Sequence, residues 1–149
     1  MSEVIKLGIV GYGEIGRAFD SLIEDAYPKN KELYIIDPEV GLLDGIDKIP
    51  YCDFVHVCVP YDHIFCCITN KKPLYIIHST VKPGTCRELE RRCFKVFHAP
   101  VNGRHAEGLS GYLRMFKMPI GSNQGNSDSY YRVLDYLKTL GIEAVYFGP

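Results

Sequence analysis

The stretch from Leu7 to Phe19 reads LGIVGYGEIGRAF, and it constrains the fold more than any other part of the sequence. Three glycines with the spacing G-x-G-x-x-G follow an apolar run that is typical of a buried strand. Directly after them, apolar residues recur at helical spacing as far as Ala26. This pattern indicates a βα unit in which a tight glycine turn leads from the strand into the N-terminus of the helix.

An acidic residue at the end of the next predicted strand strengthens this interpretation. Asp37 follows the apolar run LYII and stands about twenty positions after Gly16. In a dinucleotide-binding unit the glycines let the backbone approach a pyrophosphate, and the carboxylate binds the ribose hydroxyls. The carboxylate would also repel a 2′-phosphate, so the pattern predicts NAD rather than NADP. The alternative is a purely structural glycine turn followed by an aspartate that ends a strand.

Apolar runs alternate with helical patterns along the rest of the chain, which is typical of a parallel sheet with crossover helices. Between Pro38 and Asp53 we expect a shortened helix or loop, with the usual third strand weak or lost. A helix is predicted after Pro60 as far as about residue 70, whereas the pattern over 100–117 assigns no element. The sequence thus predicts one α/β domain over 1–149, a doubly wound, mostly parallel Rossmann sheet with helices on both faces. Further strands are predicted at 54–59, 74–78, 95–98, 118–121 and 142–147.

Composition and charge exclude several classes of partner. The net charge is −1 and no long basic cluster occurs, so we expect neither a nucleic acid nor a membrane surface as partner. The N-terminus lacks the pattern of a secretion signal, and no apolar run is long enough to cross a bilayer. Six cysteines without a C-x-x-C pair are typical of reduced thiols, which predicts a cytoplasmic protein without a metal site.

Four further segments come in an order that resembles a known superfamily. They read DFVHVCVP, HSTVKPGT, FHAPVNG and LKTLGIEAVYFGP. The chain resembles, over almost its whole length, the cofactor domain of the 3-hydroxyisobutyrate and 6-phosphogluconate dehydrogenase superfamily, which includes the UDP-glucose dehydrogenases. The resemblance implies an oxidoreductase that transfers a hydride between a nicotinamide cofactor and a small anionic alcohol.

The branch of this superfamily stays open. STVKPGT is similar to the nucleotide-sugar branch, whereas HAPVNG is similar to the hydroxyacid branch. In the sugar branch a catalytic glutamate follows the proline, and this chain has Val101 at that position. This departure counts against a sugar-oxidising mechanism.

The glycine pattern and the resemblance together name the candidate site residues. Cofactor contacts are expected from Gly11, Tyr12, Gly13, Glu14, Ile15, Gly16, Asp37, Val59, Pro60 and Thr80. Substrate contacts are expected from Thr80, Asn102, Gly103 and Arg104, with Asn102 in place of a serine that holds the substrate carboxylate in relatives.

Two residues of the same segment are candidates for catalysis. An imidazole can pass a proton near neutral pH, so His105 is a candidate proton shuttle, assisted by Asn102. A guanidinium can bind a carboxylate or phosphate through two hydrogen bonds, so Arg104 is a candidate anion clamp. His98 and Arg114 also fall in or beside this segment and could help to build the site. The alternative is that these are solvated loop residues.

The resemblance also implies parts that this chain does not contain. Relatives carry their active-site lysine on a long helix after the phrase matched here by Gly148-Pro149, and an all-helical substrate domain follows. We expect these parts to come from another chain or a homo-oligomer, or to be missing because the sequence is truncated. The other function class is a stand-alone dinucleotide-binding sensor or regulatory module without turnover.

Two histidines receive structural interpretations. His56 alternates with Val55 and Val57 on a predicted buried strand, which favours a core histidine with polar partners over a ligand-binding one. His63 follows Val59-Pro60 at a predicted helix start, and we expect it to cap the helix or to lie on the surface; the alternative is that it approaches the cofactor.

Overall fold

Seven strands form a single sheet in the computed structural model, which describes residues 3–101, 108–115, 117–123 and 127–148. The strands are β1 (Ile5–Val10), β2 (Lys31–Ile36), β3 (Phe54–Val57), β4 (Leu74–Ile77), β5 (Lys95–His98), β6 (Met118–Gly121) and β7 (Ala144–Gly148). Their order is β2-β1-β3-β4-β5-β6-β7, and the first five strands of the chain are mutually parallel. β6 pairs with β5 in antiparallel orientation through Gly121 and His98, and β7 runs parallel to β6.

Helices connect most of these strands. Within the described residues the α-helices are α1 (Glu14–Ala26), α2 (Ile64–Cys67), α3 (Thr85–Arg91), α4 (Leu109–Met115) and α5 (Asp128–Thr139). Short 3-10 helices span Pro38–Val40, Ile46–Tyr51 and Tyr61–His63. None of the described helices is long and apolar enough to cross a membrane.

Both faces of the sheet are covered because alternate residues of each strand point to opposite faces. On one face, Ile76 and Phe97 belong to a core cluster with side chains of α1, α4 and α5. On the other face, Tyr75 and Val96 belong to a cluster with side chains of α2, α3 and Ile46–Tyr51. All four strand residues are fully buried, and burial of such a side chain contributes about 1.5–3 kcal/mol. The doubly wound, mostly parallel α/β fold predicted from the sequence is therefore confirmed.

The connection between β2 and β3 lacks the usual third strand, as the sequence predicts. In its place are one isolated bridge, between Asp37 and Leu42, and the 3-10 helix Ile46–Tyr51. Ile49 of this helix is buried against β1, where a Cβ at Gly8 would lie 2.7 Å from its Cδ1 atom. Glycine at position 8 therefore lets the connection pack directly on the sheet.

Some predicted boundaries differ from the structure, and the last strand, predicted over 142–147, is Ala144–Gly148. The strand predicted over 54–59 ends at Val57, two residues earlier than expected. The helix predicted as far as residue 70 is only α2, because Ile68 has an extended backbone and is buried in the core. The segment 100–117, which the sequence pattern leaves unassigned, contains α4.

Candidate functional site

A cleft of about 630 Å³ opens beyond the carboxyl ends of β1, β2 and β3. The glycine turn after β1 forms one wall, and Asp37 and Val59 come from the ends of the two neighbouring strands. The chain leaves β1 toward β2 on one side and returns to β3 on the other, so the strand order reverses here. Open α/β sheets bind their ligands at such a switch point.

The three glycines of the turn have different surroundings. Gly11 has φ +95°, and a Cβ there would lie 2.5 Å from the carbonyl oxygen of Cys58. A Cβ at Gly16 would overlap the carbonyl oxygen of Gly11, so glycine is required where α1 packs on the turn. By contrast, a Cβ at Gly13 would meet nothing within 4 Å. Gly13 therefore leaves open space at the N-terminus of α1, where a pyrophosphate would fit.

Asp37 is held against the glycine turn by backbone amides. Its Oδ2 accepts a hydrogen bond from the Tyr12 N–H at 2.8 Å, and its Oδ1 accepts one from the Glu39 N–H at 3.0 Å. The second bond caps the 3-10 helix Pro38–Val40. Because a carboxylate has about four lone-pair sites, both oxygens can still accept hydrogen bonds from a ligand in the cleft.

The Tyr12 side chain is fastened to the outer side of α1. Its hydroxyl donates a hydrogen bond to the Asp20 carboxylate, and this bond raises the pKa of Tyr12. The Arg17 guanidinium lies 5.7 Å from the centre of the Tyr12 ring. These contacts hold the ring on the helix, so the glycine turn faces the cleft with its backbone.

The predicted cofactor residues fall into two groups. Those that line the cleft are Gly11, Tyr12, Gly13, Asp37, Val59 and Pro60. Glu14, Ile15 and Gly16 form the first turn of α1 behind this surface and do not line it. Thr80 is exposed and also lies outside the lining, so its contact with a cofactor or substrate stays a prediction.

Hydrogen bonds connect the ends of β3, β4 and β5 beside the cleft. The Ser79 hydroxyl donates to the carbonyl oxygen of Val59, which lines the cleft. Nε2 of His98 donates to the carbonyl oxygen of Ser79 at 3.0 Å. This end of the sheet is therefore held together by side chains as well as by the strand ladder.

Two buried histidines lie behind this end of the sheet. Nδ1 of His56 lies 2.8 Å from Nε2 of His78, and Nε2 of His56 lies 2.7 Å from the Tyr136 hydroxyl. Nδ1 of His78 bonds the Ala99 carbonyl oxygen at 2.8 Å, and the Phe19 ring stacks on both imidazoles. Burial lowers the pKa of His56 well below its usual value and that of His78 to about 3. Both rings are neutral at pH 7, and the prediction that His56 is a core histidine with polar partners is confirmed.

The residues predicted for the substrate and for catalysis lie mostly outside the described part of the chain. This applies to Asn102, Gly103, Arg104 and His105. Arg114 is described, and its Nη2 forms an ion pair with Asp25 of α1 at 3.0 Å. Since Asp25 is near the C-terminus of α1, Arg114 is directed away from the cleft, and the expectation that it belongs to the site was wrong.

Sequence reasoning missed part of the cleft wall. Ile46, Ile49 and Pro50 of the connection between β2 and β3 line it. His63 also lines it, and this residue is exposed, as the sequence predicts. His63 does occupy the N-cap position of α2, but its side chain forms no cap hydrogen bond. The sequence did contain one signal for this wall. The connection between β2 and β3 has apolar residues although it lacks the periodicity of a strand, and such residues need a surface to pack against. Further lining residues that were not expected are Val10, Ile36, Pro38, Glu39, Cys58, Cys66, Cys67, Thr69 and Asn70.

The fold and the cleft define a Rossmann-type α/β domain with a glycine turn and an acidic residue at its switch point. No protein-family model matches the sequence, and no curated protein matches it significantly. Solved structures do match, and the three described below are two dehydrogenases and one reductase by name.

Prephenate dehydrogenase from A. aeolicus, solved with hydroxyphenyl propionate and NAD+, superposes with a TM-score of 0.77 at 18% identity, covering 99% of this chain and 61% of that one. UDP-glucose dehydrogenase from Pyrobaculum islandicum has a TM-score of 0.67 at 16% identity, covering 99% and 47%. Pyrroline carboxylate reductase from Plasmodium falciparum, solved with NADP, has a TM-score of 0.62 at 19% identity, covering 99% and 59%.

These similarities show the fold. This chain has the Rossmann-type fold that these two dehydrogenases and the reductase share. It spans about half to three fifths of the length of these three proteins.

Proposed function

We propose that this chain is the NAD-binding domain of a 3-hydroxyacid or nucleotide-sugar dehydrogenase-like oxidoreductase, which transfers a hydride between nicotinamide and a small anionic alcohol. The observation that carries the proposal is the open space over Gly13, which faces the same cleft as the Asp37 carboxylate. A dinucleotide needs both features, because its diphosphate seeks backbone amides and its adenosine ribose seeks an acceptor.

Each part of the cleft has a separate task in this proposal. The N-terminus of α1 has a partial positive charge, so a diphosphate above Gly13 is stabilised there. Asp37 accepts hydrogen bonds from the adenosine ribose, while Val59 and Pro60 cover the nicotinamide side. When bound, NAD would supply the acceptor or donor of the hydride at its nicotinamide ring.

The charges of the cleft favour NAD over NADP. Asp37 and Glu39 both line the end where the adenosine ribose would lie. Among the described lining residues there is no lysine or arginine. A 2′-phosphate would meet two carboxylates without a cationic partner, which disfavours its binding.

The remaining parts of the reaction are proposals as well. His105 and Asn102 are the proposed catalytic residues, and Thr80, Gly103 and Arg104 the proposed substrate contacts. A helical domain, supplied by another chain or by further polypeptide, would complete the site. The six free thiols support a cytoplasmic location.

A fluorescence titration with NADH tests the cofactor site. Gly13→Val fills the open space and should weaken NADH binding more than about tenfold, since lost hydrogen bonds to a charged group cost about 1.5–3 kcal/mol. Gly111→Val, which also places its Cβ in open space but on α4, is the matched control and should bind like the wild type.

Turnover is tested separately, by following nicotinamide absorbance with a panel of hydroxyacids and their ketones. Oxidation of a hydroxyacid by the purified chain supports the enzyme, whereas NADH binding without turnover supports a stand-alone sensor or regulatory module. Equal NADH affinity of the wild type and Gly13→Val contradicts the placement of the diphosphate over Gly13, and failure of the wild type to bind NADH contradicts both functions.

A further inference from the structure

A second cavity, of about 450 Å³, lies beside the cofactor cleft. Its walls are the connection from β4 to α3, the end of β5 at His98, and the residues after β6 from Gly121 to Asn123. No residue lines both this cavity and the cleft. The two spaces therefore have different walls, and the hydrogen bonds of Ser79 run between them.

These hydrogen bonds place the second cavity next to the proposed nicotinamide end of the cleft. His98 lines the cavity and donates to the Ser79 carbonyl, and Ser79 in turn donates to Val59 in the cleft wall. Lys82 makes a second link, because its Nζ lies 4.9 Å from the centre of the Tyr61 ring just after Pro60. A molecule in the cavity would thus lie one residue layer away from the cleft.

The charged residues that line this cavity are both cations. They are Lys82 and Arg87, and no aspartate or glutamate is among its described lining residues. This contrasts with the cofactor cleft, which has two carboxylates and no lysine or arginine in its described wall. The cavity is thus positively charged although the whole chain has a net charge of −1, and such a local concentration of cations attracts anions.

The two cations of the cavity are without acidic partners within the described chain. Arg91 at the end of α3 and Arg92 directly after it both form ion pairs with Glu88, at 3.7 and 3.3 Å, but Arg87 and Lys82 form none there. The nearby Glu90 carboxylate accepts a hydrogen bond from Nδ2 of Asn123 at 2.7 Å instead. Both Lys82 and Arg87 can therefore bind an external anion without breaking an ion pair.

We propose that this second cavity binds an oxyanion, a carboxylate or a phosphate, through Lys82 and Arg87, with His98 at its inner end. The proposal extends the proposed function and rests on it for one point, that the oxyanion belongs to the substrate whose alcohol reaches the nicotinamide. Arginine and lysine bind carboxylate and phosphate groups by charge-assisted hydrogen bonds, and the volume admits a small molecule but not a second dinucleotide.

The test is an NMR titration of the ¹⁵N-labelled full chain with malonate and, separately, with inorganic phosphate, at low salt and saturating NADH. Amide shifts are expected at 82–87, His98 and Ser122. Arg87→Met and Lys82→Met should each weaken anion binding about five- to tenfold, a modest loss because both side chains are exposed. Arg91→Met removes the same charge from the same helix outside the cavity, and it should bind anions like the wild type.

The outcomes separate this proposal from the cofactor proposal. Malonate binding without phosphate binding identifies a carboxylate site, and the reverse identifies a phosphate site. Failure of NADH to bind removes the cofactor proposal, whereas anion shifts in the same sample would still support the cavity. The anion site is overturned if neither anion binds, or if Arg91→Met loses as much affinity as Arg87→Met.

Discussion

His56 and His78 share a hydrogen bond inside the core, with Nδ1 of His56 at 2.8 Å from Nε2 of His78. The Ala99 carbonyl can only accept, so Nδ1 of His78 carries a proton and its Nε2 accepts from Nδ1–H of His56. Nε2 of His56 is then an acceptor for the Tyr136 hydroxyl. The chain of hydrogen bonds runs in one direction from α5 to the end of β5, and each member has its partner.

The two buried histidines of this hydrogen-bond network make the stability of the protein sensitive to acid. Unfolded histidines take up a proton below about pH 6.5, whereas folded His78 stays neutral to about pH 3 and the pKa of His56 is also lowered. The unfolded state therefore binds more protons, so stability is full above pH 6.5 and falls as the pH drops toward 3. The maximal slope is about 1.4 kcal/mol per pH unit for each histidine.

Urea unfolding between pH 7.5 and pH 4 measures this loss. The variant His63→Asn, which changes an exposed histidine, should keep the slope of the wild type. A stability that is constant from pH 7 to pH 5 would show that the buried pair does not control it.

Tyr136→Phe should destabilise the fold. It removes the donor to Nε2 of His56 and leaves a buried acceptor without a partner, which costs about 1–3 kcal/mol. Tyr51→Phe, at a tyrosine that is 59% exposed, should change stability by less than about 0.5 kcal/mol. Denaturant midpoints measure both effects, and equal midpoints for the two variants would contradict this account of the core.

Gly16→Ala and Gly13→Ala should differ although each adds a single methyl group. At Gly16 the new Cβ overlaps the Gly11 carbonyl oxygen, so the turn or α1 must shift at a cost of about 3 kcal/mol. At Gly13 the Cβ enters open space, and the loss from a poorer N-cap is about 1 kcal/mol or less. Thermal unfolding measures the contrast, and a larger loss at Gly13 would mean that the turn packs differently.

Asp37→Ser should change the choice of cofactor. It removes the ribose acceptor and the charge that opposes a 2′-phosphate, so NADH affinity should fall about tenfold while the ratio of NADPH to NADH affinity rises. Glu39→Gln removes a neighbouring charge but not this acceptor, and should leave NADH affinity nearly unchanged. Parallel titrations with both cofactors measure this, and an unchanged ratio in Asp37→Ser would refute the assigned role.

Cys93→Gly should stabilise the protein. Cys93 has φ +69° after α3, and its N–H and that of Phe94 bond the carbonyls of Glu90 and Leu89 at the helix end. A left-handed backbone costs a residue with a Cβ about 1–2 kcal/mol, which glycine does not incur. We expect unfolding about 2–4 °C higher per kcal/mol gained. The control Cys66→Gly, at an exposed cysteine inside α2, should lower it.

The sequence by itself determined the features that depend on neighbours along the chain. Glycine spacing and apolar periodicity predicted the glycine turn, α1 and the position of Asp37. These features form one wall of the cofactor cleft. The lost third strand was also predictable, because the segment after Pro38 lacks an apolar run of strand length. The ends of strands were predicted less accurately. β3 ends at Val57 because Cys58 and Val59, which continue the apolar run, form part of the cleft wall instead.

Only the tertiary structure decided which distant side chains meet. His56 and Tyr136 are eighty positions apart, and their hydrogen bond exists because α5 packs across β3. Likewise, Arg114 pairs with Asp25 rather than facing the cleft, and Lys82 and Arg87 line a cavity that no local pattern indicates. Sequence periodicity reports which face of an element is buried, whereas the partners on that face depend on how the layers pack against each other.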